Sequence, residues 1–208
     1  WPLLRLCLDA HVARERVSHI RRADLLDMLS DMLERYLDEP EAAFVARNAC
    51  FEITHEADHL IALVRLSEQL GKEHEALVYQ DLYFVKLWDR EDISPGRCVG
   101  AGLQLARMLR ARGEEQDHLA AMELLEDLHA RFEQTTEAVD VRLELARVHA
   151  SHGDPYAAAE LFRRTLTPER VTGRVEDWRE FVRIYRDGVG DSAAAYNLQW
   201  TLVRFAPS

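Results

Sequence analysis

The chain is poor in the residues that staple small secreted or metal-stabilised domains. Its 208 residues hold three cysteines, Cys7, Cys50 and Cys98, far apart and without a CxxC pair. That excludes a disulfide framework and a cysteine-rich zinc module, and points to a reducing compartment. Nine glycines and six prolines are about 7% of the residues, against a usual sum of about 12%. Little material is left for long loops. Lysine occurs only at Lys72 and Lys86, so arginine carries nearly all the positive charge. Positive charge is itself short: 26 Lys and Arg face 37 Asp and Glu, a net charge of −11. Double-stranded nucleic acid is disfavoured as a partner, because binding it relies on neutralising phosphates. No apolar run reaches the roughly 18 residues that cross a bilayer.

What is present reads as helix. Hydrophobic residues make 48% and charged residues 30% of the chain, an ordinary globular balance. A chain of this length buries about 70% of its extended surface and needs no staples. Ala, Leu, Glu and Arg dominate, all strong helix formers. Pro40, Pro95 and Pro155 precede helical apolar patterns, as a first helical position allows. Gly71, Gly113 and Gly153 come after such patterns, where a left-handed residue closes a helix. The three-four rhythm of Leu25, Leu26, Leu29, Leu33 and Leu37 shows the helical period. Helices are expected near 2–20, 23–37, 40–54, 56–70, 73–89, 95–112, 117–132, 136–151, 155–166, 175–187 and 191–205. The short turns between them give antiparallel neighbours.

These helices repeat. Trp178, Phe181, Val182 and Tyr185, then Ala194, Leu198 and Thr201, set a large-aromatic-small-aromatic helix before a small-Leu-small one. Leu145, Ala146 and His149, then Ala158, Phe162 and Thr165, precede it, with Arg142 where a large residue belongs. Leu105, Ala106 and Leu109, then Ala121, Leu125 and Leu128, come before those. Leu63, Val64 and Ala76 form a weaker unit, and Leu26, Ser30, Leu33, Ala42, Ala46 and Ala49 the weakest. The small positions Ser30, Val64, Ala106, Ala146 and Val182 recur at intervals of 34, 42, 40 and 36 residues. The tetratricopeptide repeat has a period of about 34, so two intervals fit and two carry extensions. The sequence over about 23–205 resembles that family. The resemblance implies an all-α fold, a right-handed superhelix of about five degenerate antiparallel helix pairs over 23–208. It also implies a non-enzymatic scaffold that binds another protein, with no cofactor.

The first 22 residues differ. WPLLRLCL is apolar, and Arg5, Arg14, Arg16, Arg21 and Arg22 stand against only Asp9 and Glu15. A basic cluster after an apolar end is typical of the cytoplasmic flank of a membrane helix. Residues 1–22 are thus expected to form a basic amphipathic helix, either behind a membrane anchor or as a soluble cap. The anchor reading places the chain in the cytoplasm, tethered to the inner membrane. It would serve a bacterial envelope or exopolysaccharide assembly such as the Pel system. Self-association through terminal helices stays open.

Three features could carry chemistry. His55-Glu56-Ala57-Asp58-His59 matches H-E-x-x-H, which on one helix presents two histidines to zinc with Glu56 as base. A helical zinc hydrolase is the rival reading on that ground. Against it stand the charge at Asp58, the lack of a spaced third ligand, and a position at a helix start, which acidic residues favour. Gly96, Gly100 and Gly102 open a helix without a preceding strand, so helix packing explains them better than phosphate binding. No catalytic or metal residue is assigned. Arginine is the third feature. In the resembled family, the residues one and four after the small position face the concave groove. Here those include Arg65, Arg107, Arg147 and Arg183, with Arg110 and Arg186 one turn further. Arginine suits carboxylates, so these six are the expected protein-binding residues, for an acidic segment of a partner. The alternative is pairing with the chain's own Glu144, Glu176 and Asp187. The Lys and Asn of that family's carboxylate clamp are absent.

Overall fold

The computed structural model describes residues 19–168 and 173–205, with His19 and Ile20 described by backbone alone. The helix expected over 2–20, and most of the basic segment 1–22, lie outside the described residues. Ten α-helices and no strand occur among the described residues. They are α1 (His19–Leu37), α2 (Pro40–Thr54), α3 (Ala57–Gln69), α4 (Glu73–Trp88), α5 (Pro95–Arg112), α6 (Glu115–Phe132), α7 (Ala138–Ser151), α8 (Pro155–Thr165), α9 (Val175–Arg183) and α10 (Ser192–Phe205), with a π-helical turn (Ile184–Val189) after α9. The fold is all-α and tetratricopeptide-like, as expected. No described helix is long and apolar enough to cross a membrane.

The punctuation residues act as their chemistry requires. Pro40, Pro95 and Pro155 stand at helix starts, where the missing N–H costs nothing. Gly113 closes α5 at φ +75°, which its lack of a Cβ makes inexpensive. α1 already includes His19–Arg22, so no break falls between 20 and 23.

The chain divides into two compact units, Trp1–Arg90 and Glu91–Ser208. In the first, α1 pairs with α2 and α3 with α4, and α2 packs on α3. In the second, α5 pairs with α6, α7 with α8, and α9 with its π turn against α10. Small residues set the approach within each pair. Ser30, Val64, Ala106, Ala146 and Val182 are all buried. On the second helices Ala43, Ala76, Ala121, Ala158 and Ala195 are buried as well, and the Ser30 hydroxyl donates to the Ala43 carbonyl at 2.9 Å. Ala43 and Ala195 replace the expected Ala42 and Ala194. At the last pair a π turn, Ile184–Val189, precedes the slip.

The densest core lies in the last two pairs. Phe162 stacks on Phe181 at 5.5 Å, and Trp178 and Tyr185 meet Phe181 edge-on at 6.0 and 5.2 Å. Trp178 and Phe181 are buried as expected, whereas Tyr185 and Leu198 are only half-buried. The π turn locks onto the preceding pair at Gly188, where a Cβ would come within 2.7 Å of the Pro155 Cβ. Gly188→Ala should therefore cost about 1–3 kcal/mol through overpacking. A shift in the urea midpoint checks this against Gly100→Ala, where a Cβ meets nothing within 4 Å.

Candidate functional site

In the second unit the first helices of the pairs, α5, α7 and α9, are tied by an ion-pair ladder. Glu144 on α7 is its centre, with side-chain exposure of 1%. Three guanidiniums converge on that carboxylate. Arg107 Nε donates at 3.2 Å, Arg110 Nε at 3.1 Å and Arg147 Nη1 at 3.1 Å. Arg147 then reaches α9, donating Nε to Glu180 at 2.8 Å and Nη2 to Asp177. Burial opposes the Arg147 charge, but Glu180, Glu144 and Asp177 together raise the guanidinium above its ordinary value. Arg174 extends the ladder, donating to Asp140 at 2.5 Å and to Asp177 at 3.4 Å. Arg183 stands at the far end, 3.7 Å from Glu180.

The six expected binding arginines thus fall into three situations. Arg107, Arg110, Arg147 and Arg183 are brought together through Glu144 and Glu180. Arg186 pairs with its neighbour Asp187 at 2.7 Å. Arg65 lies in the first unit, donating to Glu34 at 2.7 Å. Internal pairing is real for every one of them. Glu144 and Asp187 take the expected part, while Glu176 pairs instead with Arg179. The spacing of the repeat did not reveal Glu180, Asp177 and Arg174, because their pairing crosses from one repeat to the next. Beside Arg183 and Arg186 lies an open groove of about 610 Å³ between α9 and α10, with Val175, Val182, Leu202 and Val203 in its wall.

The first unit inverts this pattern. Its buried cation is Arg47 on α2, which the sequence did not single out. Arg47 donates to Asp27 and Asp31 on α1 and to the Ser30 hydroxyl at 3.2 Å. Burial, aided by Arg65, pulls its guanidinium below the ordinary value. The signal in the sequence is the pair Asp27 and Asp31, one turn apart on a face that α2 must cover.

The H-E-x-x-H residues straddle a helix break. His55 takes the left-handed conformation after α2, at φ 54°, and Glu56 caps α3. His55 and His59 therefore do not share a helical face, and the zincin arrangement does not form. His59 instead turns inward. Its Nε2 lies 3.5 Å from Cys50 Sγ, and its Nδ1 lies 3.4 Å from both Asp27 Oδ1 and Arg47 Nη1. Burial and then Arg47 push the His59 imidazole down, while burial pushes the Cys50 thiol up against the pull of Arg47. Of the three glycines expected to pack helices, Gly102 is buried, whereas Gly96 and Gly100 are exposed and a Cβ at Gly100 would meet nothing within 4 Å. Cys98 beside them is buried, its thiol pushed up by that burial.

The arrangement of helices is similar to that of solved tetratricopeptide-repeat structures. The crystal structure of the MamA protein superposes with a TM-score of 0.65 at 16% identity, over 88% of this chain and 91% of that one. A tetratricopeptide repeat protein of Parabacteroides merdae gives 0.60 at 14% identity, covering 97% and 72%. Kinesin light chain TPR-like repeats of Podosopora anserina give 0.61 at 19% identity, covering 91% and 97%. No family model matches the sequence, and no curated protein matches it. These likenesses, all below 20% identity, show a tetratricopeptide-like fold.

Proposed function

We propose that the protein is a non-enzymatic scaffold whose second unit binds an acidic segment of a partner protein along α5, α7 and α9. One observation carries this. Glu144 serves three guanidiniums, yet a carboxylate has about four lone-pair sites and each guanidinium brings five donors. Arg107 commits only Nε to it and is half exposed. Arg183 is two-thirds exposed and holds Glu180 loosely. Their remaining donors suit further carboxylates, which planar guanidiniums bind in bidentate fashion. The neighbouring groove with its four apolar side chains suits a Leu or Val on the same segment. The basic stretch over residues 5–22 supports a place in a bacterial membrane-associated assembly of the envelope or exopolysaccharide type.

Arg147 is not part of the contact set, because it is spent inside the ladder. The test is titration of a short Glu- and Leu-rich peptide into wild type and Arg107→Glu/Arg183→Glu. The double variant should bind at least about tenfold more weakly, a loss of about 1.4 kcal/mol, with unchanged helicity. Wild-type binding should fade as salt shortens the Debye length from about 8 Å to about 3 Å. Equal binding by both proteins would show that these arginines serve only the fold.

A further inference from the structure

The ladder leaves unused a second cluster, in the first unit. Cys50 on α2 and His59 on α3 are turned toward each other, both close to α1. Tetrahedral zinc, with bonds of about 2.3 Å to sulfur and about 2.0 Å to nitrogen, sets such ligand atoms about 3.5 Å apart. Cys50 Sγ and His59 Nε2 are 3.5 Å apart. Asp27 Oδ1 and the Arg47 Nη1 donor both lie 3.4 Å from Nδ1. When the carboxylate accepts from Nδ1–H, the Nε2 lone pair is left for the metal, as behind other metal-bound histidines. Glu56 Oε2 lies 3.8 Å from the same Nε2, on a side chain that is 70% exposed. It marks an entry from solvent and offers an adaptable third ligand. The charge balance favours a cation. Asp27 and Asp31 hold Arg47, with Arg35 on Asp31 and Arg65 near Arg47, while Asp24, Glu56 and Asp58 act on Cys50 and His59 from close by.

We infer that Cys50 Sγ and His59 Nε2, joined by Glu56, form a site for a thiophilic divalent cation, zinc by preference, that clasps the start of α3 to α2. A thiolate, an imidazole and a carboxylate make a donor set that suits zinc rather than magnesium or calcium. Binding releases the Cys50 thiol proton to solvent and breaks its 3.3 Å hydrogen bond to the Ala23 carbonyl. Water completes the coordination. The site is not the H-E-x-x-H arrangement, since His55 takes no part in it.

Cobalt(II) is the probe, because a sulfur ligand gives it a near-ultraviolet charge-transfer band. The full chain, stripped with chelator and carrying Cys7→Ser and Cys98→Ala, has Cys50 as its one thiol. It should take up one cobalt per chain with that band, and zinc should displace the cobalt. Excess zinc should raise the thermal midpoint, as a ligand of the native state does. Cys50→Ser and His59→Gln should each abolish the band and weaken uptake at least tenfold, whereas His55→Ala should retain both. Absence of the band at stoichiometric cobalt would overturn the site without recourse to any variant that misfolds. Loss of uptake in His55→Ala with retention in Cys50→Ser would overturn it in favour of the sequence motif.

Discussion

Glu144→Gln should destabilise the second unit by about 3 kcal/mol. The carboxylate is enclosed and answers three guanidiniums. An amide of the same shape keeps the volume but removes the charge and offers its own donors where acceptors are needed. Breaking a buried pair costs about 3–5 kcal/mol because the partner charge is stranded. The lower figure applies because Arg107 is half exposed and Arg110 is a third exposed, so water screens both. Urea unfolding monitored by circular dichroism checks this. Glu180→Gln is the comparison. Arg147 keeps Glu144 and Asp177 when Glu180 is lost, so its cost should stay below about 1 kcal/mol. Equal midpoints for wild type and Glu144→Gln would show that Glu144 is not the keystone of the ladder.

Trp178→Ala should cost about 3–5 kcal/mol, the range for deleting a buried aromatic. Trp178 is 3% exposed and packs with Phe162 and Phe181 in the core of the last two pairs. Among the described residues its buried indole Nε1–H has no hydrogen-bond partner. That permits a sharper comparison, since Trp178→Phe keeps a ring in the core and removes an unpaired donor. Trp178→Phe should therefore lose less than about 1.5 kcal/mol. A loss as large as that of the alanine variant would mean that the indole has a partner after all.

The order of helices was legible because its signals are local. Prolines at 40, 95 and 155 and the glycine at 113 act through their own backbone, whatever packs above them. The small positions were legible because close approach of two helices leaves no room for more than Ser, Ala or Val. The π turn at 184–189 was not legible. Its Gly188 packs on Pro155, a contact between residues far apart in sequence, and the buried alanine of α10 is 195 rather than 194. The same distinction divides the sites. Arginines 107, 147 and 183 share one repeat position and so could be picked out. Arg47 has no equivalent in the other repeats, and its partners sit on a different helix. The H-E-x-x-H motif misleads for the opposite reason: its spacing is local, but the helix it requires breaks at His55.

The binding face is the central claim, and arginine side-chain nuclear magnetic resonance locates it most directly. Each Nε–Hε group gives its own signal, so titration with a Glu- and Leu-rich peptide reads the arginines separately. Arg107, Arg110 and Arg183 should shift progressively with peptide and return on addition of salt. Arg163 and Arg164, held by Glu160 on α8 at 2.8 and 2.6 Å, should stay in place. Shifts confined to Arg163 and Arg164, or no shift at Arg107 and Arg183 at saturating peptide, would contradict it.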